Sequence, residues 1–193
     1  MKFMILSRIS LFIIFISCMA LSPSHKKNED RHFKQEFLDR INSARQKGCN
    51  CGHTFFPPAP PMTWNDQLED AALGHAKDMD KRDYFSHTSK DGRSMADRIT
   101  AAGYYFKGFK SFTVGENIAL GQMSIEEVMN GWLKSEGHCK NLMNPEFKEV
   151  GVAEIDHYWV QDFGGREEFS PEQKKLIKSG KYRLIQKEVS KGH

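Results

Sequence analysis

The hydrophobic period changes once along this chain, near residue 149, and that change limits the folds open to it. Before it, apolar side chains recur at helical spacing. Phe33, Phe37, Leu38, Ile41 and Ala44 share one face of a helix predicted over 30–47, which Gly48 ends. Asn65 can cap a second helix running to about Lys81, with Leu68, Ala72, His75 and Met79 on one face. Ser94 with Asp97 forms a capping box that opens a third, with Met95, Ile99 and Ala102 turned inward and Gly103 as its stop. Ser124 with Glu127 forms another, followed by the stripe Ile125, Val128, Met129 and Trp132, and Gly137 is read as the break. After the change, "VGVAEI" and "YWVQDFG" are β-prone runs either side of Asp156-His157, the pattern of a hairpin. Four helices followed by a small antiparallel sheet predict an α+β chain, layered helix–sheet–helix.

The connecting segments are read as loops. Four prolines in the five residues 57–61 forbid helix and ladder alike, so "CNCGHTFFPPAPPM" is predicted to be irregular. "RDYFSHTSKDGRS" is a loop, and "VGENIALGQ" is turn-rich. Ser170-Pro171 with Gln173 can start a short helix in the basic tail, with Gly180 ending it. The chain shows no internal repeat.

The first twenty residues read as an export signal. Lys2 and Arg8 form a basic start, and the apolar run Ile9 to Ile16 is too short to span a bilayer, which takes about 20 residues. "FISC" resembles a bacterial lipobox, with Cys18 lipidated and becoming the mature N-terminus; Phe15 departs from the usual leucine. The rival is ordinary cleavage after Ala20. Residues 21–31 then form a tether, 32–165 the domain, and 166–193 a basic tail. Outside the cytoplasm thiols oxidise. With Cys18 lipidated, Cys49, Cys51 and Cys139 remain, and one disulfide plus one odd thiol is the simplest arithmetic. The metal alternative groups Cys49, Cys51 and His53 with Cys139. A net charge of +3 across 193 residues, without an arginine-rich helix, argues against nucleic-acid binding.

Five stretches in order, "MTWNDQLEDAALGHAKDM", "YFSHTSKDGRSMADRITAAGY", "VGENIALG", "VMNGWLKSEGHCKNLMNPEFKEVGVAE" and "YWVQDFG", resemble a bacterial CAP domain. This is the SCP/PR-1-like family of cysteine-rich secretory and pathogenesis-related proteins. The resemblance covers roughly Phe33 to Gly164 and implies an α-β-α sandwich. It also implies a cleft of two histidines and two acids: His87 in "FSHTS", Glu116 in "GENI", and His138, thirteen residues before Gly151. For the second acid, Glu136 lies near the family position in a shifted register. The single cysteines of bacterial relatives imply a Cys51–Cys139 disulfide and leave Cys49 as the odd thiol. Closing so long a loop stabilises by about 4 kcal/mol in the chain-entropy model.

Three chemistries fit the His/Glu set. His87, His138 and Glu116 can ligate zinc or another divalent metal with an open position, although no cofactor is required. A carboxylate-paired imidazole can act as a general base of a hydrolase. The same residues can also be a polar structural cluster. A Cys139–His138 catalytic pair is disfavoured, because neighbours on an extended segment face opposite ways. His75, on an apolar helix face, reads as a core histidine; Trp132, Tyr158, Trp159 and Phe163 read as core aromatics. The sequence therefore predicts an exported monomeric binding protein, its partner a small ligand or lipid, and its membrane attachment through Cys18. The alternatives are a His/Glu or metal-dependent hydrolase and a surface protein with an inert cleft.

Overall fold

The computed structural model describes residues 23–182, with side chains from Lys27 onward. The export signal and the Cys18 reading lie outside the described residues. No helix among those residues is long and apolar enough to cross a membrane.

Helix α1 (Pro23–Lys47) begins earlier than periodicity predicts, inside the stretch read as a tether. A two-stranded hairpin follows, β1 (Cys49–Cys51) with β2 (Thr54–Phe56). The segment read as wholly irregular therefore carries a ladder, which stops where the prolines begin. Next come β3 (Thr63–Trp64), α2 (Asp66–Arg82), α3 (Met95–Ala101) and β4 (Ser111–Leu120). The chain continues through α4 (Ile125–Lys134), α5 (Glu136–Met143), β5 (Glu149–Ile155), β6 (Tyr158–Glu167) and α6 (Pro171–Lys178).

The sheet order is β3-β5-β6-β4. It is mixed rather than antiparallel, because β3 runs parallel to β5. The β5–β6 hairpin turns at Asp156 and His157, both with positive φ, as a two-residue turn matching strand twist requires. "VGENIAL" is not a turn but the core of β4, an edge strand of ten residues. Its glycine and two polar residues conceal the period.

Alternation along the strands divides the core into two layers. Val150, Val152, Trp159 and Phe163 pack with Phe37 and Ile41 of α1, Val128, Met129 and Trp132 of α4 and Leu142 of α5. On the opposite face, Ile118, Ala153 and Val160 meet Ala72, Ala76 and Met79 of α2. Gly151 lets α2 sit directly on the sheet: a β-carbon there would stand 2.0 Å from the Glu69 amide nitrogen. The result is the helix–sheet–helix sandwich, with α2 and α3 on one side and α1, α4 and α5 on the other.

The caps follow the sequence closely. Asn65 Oδ1 accepts from the Gln67 and Leu68 amides. Capping boxes close at Ser94–Asp97 and Ser170–Gln173. Ser124 accepts from the Glu127 amide, but Glu127 reaches back one residue further, to the Met123 amide. Gly137 breaks nothing: α4 ends at Lys134, Ser135 is the junction residue between the two helices with its amide donating to the Gly131 carbonyl, and Gly137 lies in the first turn of α5.

One buried arginine ties α1 to the far end of α5. Arg45, in the last turn of α1, has no exposed surface. Its guanidinium donates to four carbonyls: Pro60 (2.6 Å), Leu142 (2.7 Å), Asn144 (3.0 Å) and Phe147 (3.1 Å). Leu142 and Asn144 belong to the C-terminal end of α5, where helix carbonyls lack intrahelical donors and favour a cation. Burial pulls Arg45 down to about 10, which leaves it charged at neutral pH.

Candidate functional site

The loop between α2 and α3 carries His87, and two buried side chains hold that loop. His75 of α2 places Nε2 2.9 Å from the Ser86 carbonyl. Arg98 of α3 donates through Nη1 to the His87 carbonyl (2.9 Å) and to Ser89 Oγ (3.2 Å). The exposed His87 ring is thereby presented to solvent from a fixed backbone. Its Nδ1 lies 2.7 Å from Glu116 Oε1. The other Glu116 oxygen accepts from Arg98 Nη2 at 2.5 Å.

Glu116 is the pivot of the site, and its side chain is almost wholly buried while the His87 side chain is 57% exposed. Burial alone would raise the Glu116 carboxyl; the His87 hydrogen bond and the Arg98 charge outweigh it and hold the group below the usual range. An anionic carboxylate can only accept, so His87 donates to Glu116 through Nδ1–H, and Nε2 is the nitrogen left outside that bond. His138, half-buried on α5, stands near enough to feel the His87 charge. Burial first, and repulsion by His87 second, lower its pKa, so it favours the neutral form. Asn117 Nδ2 donates to the His138 carbonyl, fixing α5 against β4.

The structure therefore brings His87 and Glu116 into contact and sets His138 beside them. It does not bring Glu136 there. The Glu136 carboxylate is exposed, pairs with Lys140 (2.6 Å) and lies over Gly52, whose added β-carbon would be 2.6 Å from Oε2. The first turn of α5 directs it to the β1–β2 hairpin, so the shifted register is also a change of direction. Both Glu116 oxygens are hydrogen-bonded, one to His87 and one to Arg98. Among the described residues, only Cys49, Cys51 and Cys139 bring three ligand atoms of this class within 4.8 Å of one another.

Three members of the site escape the sequence reading: Arg98, Asp162 and the site role of His75. Asp162 is the cross-strand neighbour of Glu116 and is fully buried. Neither carboxylate oxygen has a hydrogen-bond partner among the described residues. Burial, reinforced by the Glu116 charge, pushes its carboxyl well above the usual range. The two shifts run in opposite directions, so of the pair Asp162 favours the neutral form and Glu116 the charged one. A signal for it does exist: an aspartate between Val160 and Phe163, in a strand covered on both faces, is a buried acid.

Residues 38–163, more than half of the chain, match the CAP family, the cysteine-rich secretory protein family. The chain belongs to the CAP family. The protein YkwD of Bacillus subtilis is 32% identical over 136 residues, which are 69% of this chain and 48% of YkwD. The membrane protein YlbC of the same organism is 35% identical over 102 residues, 53% of this chain and 28% of YlbC. An extracellular SCP-domain protein from Bacillus anthracis superposes with a TM-score of 0.59 at 34% identity, over 75% of this chain and 44% of that one. The chain thus spans about half the length, or less, of these relatives. An outer surface protein from Borrelia burgdorferi shares the fold, with a TM-score of 0.54 at 21% identity, over 74% of this chain and 96% of that protein.

The second feature of this CAP domain is covalent. Cys51 and Cys139 form a disulfide across 88 positions, joining the hairpin to α5. Cys49 is a free thiol. Cys139 and His138 do diverge, but as consecutive positions of a helix rather than of an extended segment.

Proposed function

We propose that this CAP protein works outside the cytoplasm as a binding module whose cleft, floored by Glu116 and flanked by His87 and His138, takes a divalent metal ion or a small polar ligand. The observation that carries this is the 2.7 Å contact of His87 Nδ1 with a buried, Arg98-anchored carboxylate. A carboxylate behind an imidazole fixes its tautomer and raises the basicity of the free nitrogen, the arrangement that metal-binding histidines use. The donor set suits zinc or copper: His87 Nε2 and a His138 ring that favours neutrality, with remaining positions open to water or ligand. Glu116 acts as the orienting group, not as a ligand. Export agrees with the extracellular description of the Bacillus anthracis relative and with the basic, then apolar, first twenty residues. Attachment through a lipidated Cys18 is part of the same reading.

A hydrolytic role finds less support. Ser86 Oγ accepts from the Thr88 amide, and no nucleophile is paired with the His87 ring among the described residues. The test is calorimetric titration of zinc and copper into the purified protein and into a His87→Ala/His138→Ala variant. Binding in the wild type that is lost in the variant is expected, with affinity falling as pH drops below about 6.5, where imidazole protonates. Identical titrations for the two proteins overturn the proposal.

A further inference from the structure

Outside the cleft, the densest cluster of reactive groups is the sulfur triad. Cys49 and Cys51 are two positions apart on β1, so their side chains leave the strand on the same side, toward α5. Cys49 Sγ lies 3.4 Å from Cys139 Sγ and 3.9 Å from Cys51 Sγ. Cys51 and Cys139 are fully buried, and Cys49 is half-buried. A thiol in van der Waals contact with a disulfide is a nucleophile held against its electrophile.

We propose that Cys49, Cys51 and Cys139 form a thiol–disulfide exchange site in which Cys139 is the common partner and Cys49 and Cys51 alternate as the second sulfur. In the step, the Cys49 thiolate attacks Cys139 Sγ. The Cys49–Cys139 bond forms as the Cys51–Cys139 bond breaks. The electron pair leaves on Cys51 Sγ, which takes up one proton for the one Cys49 released. One disulfide and one thiol stand on each side, so no oxidant or reductant is consumed.

Two geometric arguments select this product. A Cys49–Cys51 bond is disfavoured because alternate residues of a strand lie about 6.4–6.8 Å apart, at the outer limit for a disulfide. Cys139 is also the nearer sulfur. The thiol stands beside the S–S bond rather than behind it, so a rotation of the Cys49 side chain precedes in-line attack. Burial raises the Cys49 thiol above its ordinary range, which makes the step slow at neutral pH and faster in alkali. The exchange moves the free thiol from a half-exposed position to a fully buried one. It thereby withdraws the domain's accessible nucleophile while the tie between hairpin and α5 persists.

The experiment uses the full chain, purified without reductant. Samples held at pH 7.5 and pH 9 are quenched in acid, labelled with a maleimide in denaturant, and mapped; the Cys18 peptide is followed separately. Label on Cys49 at the start, with a fraction appearing on Cys51 and matched by a Cys49–Cys139 linked peptide, is expected. The approach to that mixture should be faster at pH 9. A Cys51→Ser variant should form the Cys49–Cys139 bond on oxidative folding. Label confined to Cys49 throughout the wild-type time course overturns the proposal, as does a folded Cys51→Ser variant that keeps both remaining thiols free.

Discussion

Replacing Arg45 by methionine keeps most of the side chain's volume and removes every donor. Four carbonyls lose a charged donor: those of Pro60, Leu142, Asn144 and Phe147. Asn144 retains a second one, the Phe147 amide at 3.3 Å. Three carbonyls are then set against the loss, and an unmet buried acceptor costs about 1–3 kcal/mol. Part of that sum is offset, because the buried guanidinium no longer has to be desolvated. The expected net loss is about 3–5 kcal/mol. For a domain of this size that lowers the melting temperature by roughly 10–15 °C. Lysine should recover only part of it, since one ammonium cannot span four carbonyls as a planar fork does. Thermal unfolding followed by circular dichroism, in parallel on wild type, Arg45→Met and Arg45→Lys, gives the comparison. An Arg45→Met protein melting within about 2 °C of wild type would refute the reasoning, because it would mean these carbonyls are satisfied without the arginine.

The carboxyl pair gives a pH-dependent prediction. Asp162 has a raised folded pKa, so the folded state holds a proton the unfolded chain releases above its ordinary value near 3.8, and the domain loses stability as pH rises above that value. Asp162→Asn should therefore be more stable than wild type at pH 7, with the advantage vanishing toward pH 4; denaturant unfolding at both pH values measures it. Glu116 has the opposite sign: its lowered pKa contributes stability above about pH 4.5 that is lost on acidification through its folded pKa, so Glu116→Gln should flatten the acid limb of the same profile. Glu136→Ala, which removes only an exposed pair with Lys140, should leave zinc and copper titrations unchanged.

What is legible in the sequence is local. Asn65, Ser94 and Ser170 announce helix starts because a cap is made within three residues, and Asp156-His157 announces a hairpin because the turn is made by adjacent residues. β4 escapes because its information is not local. Glu116 and Asn117 are buried polar residues whose partners, Arg98, His87, Gln161 and Asn141, come from other segments. The fifth helix escapes because glycine reads as a breaker, whereas in a first turn its missing side chain costs little. At the His/Glu site, His87, Glu116 and His138 come from the family pattern. Arg98 needs the fold, since nothing near it in the chain says that a charge will be buried there; Asp162 is legible as a buried acid between Val160 and Phe163, but its pairing with Glu116 needs the strand register.

The Cys51–Cys139 bond also has a mechanical meaning whenever the chain is put under force. Tension applied at the two chain ends passes through the sulfur bridge and bypasses everything between. Residues 52–138, which hold α2, α3, β4 and α4, are shielded from extension. At about 3.5 Å per residue, roughly 300 Å of chain stays out of reach until the bridge is cut. Pulling can peel α1 from one side and β5 and β6 from the other, yet His87 and Glu116 stay within a closed covalent loop that ends one residue beyond His138.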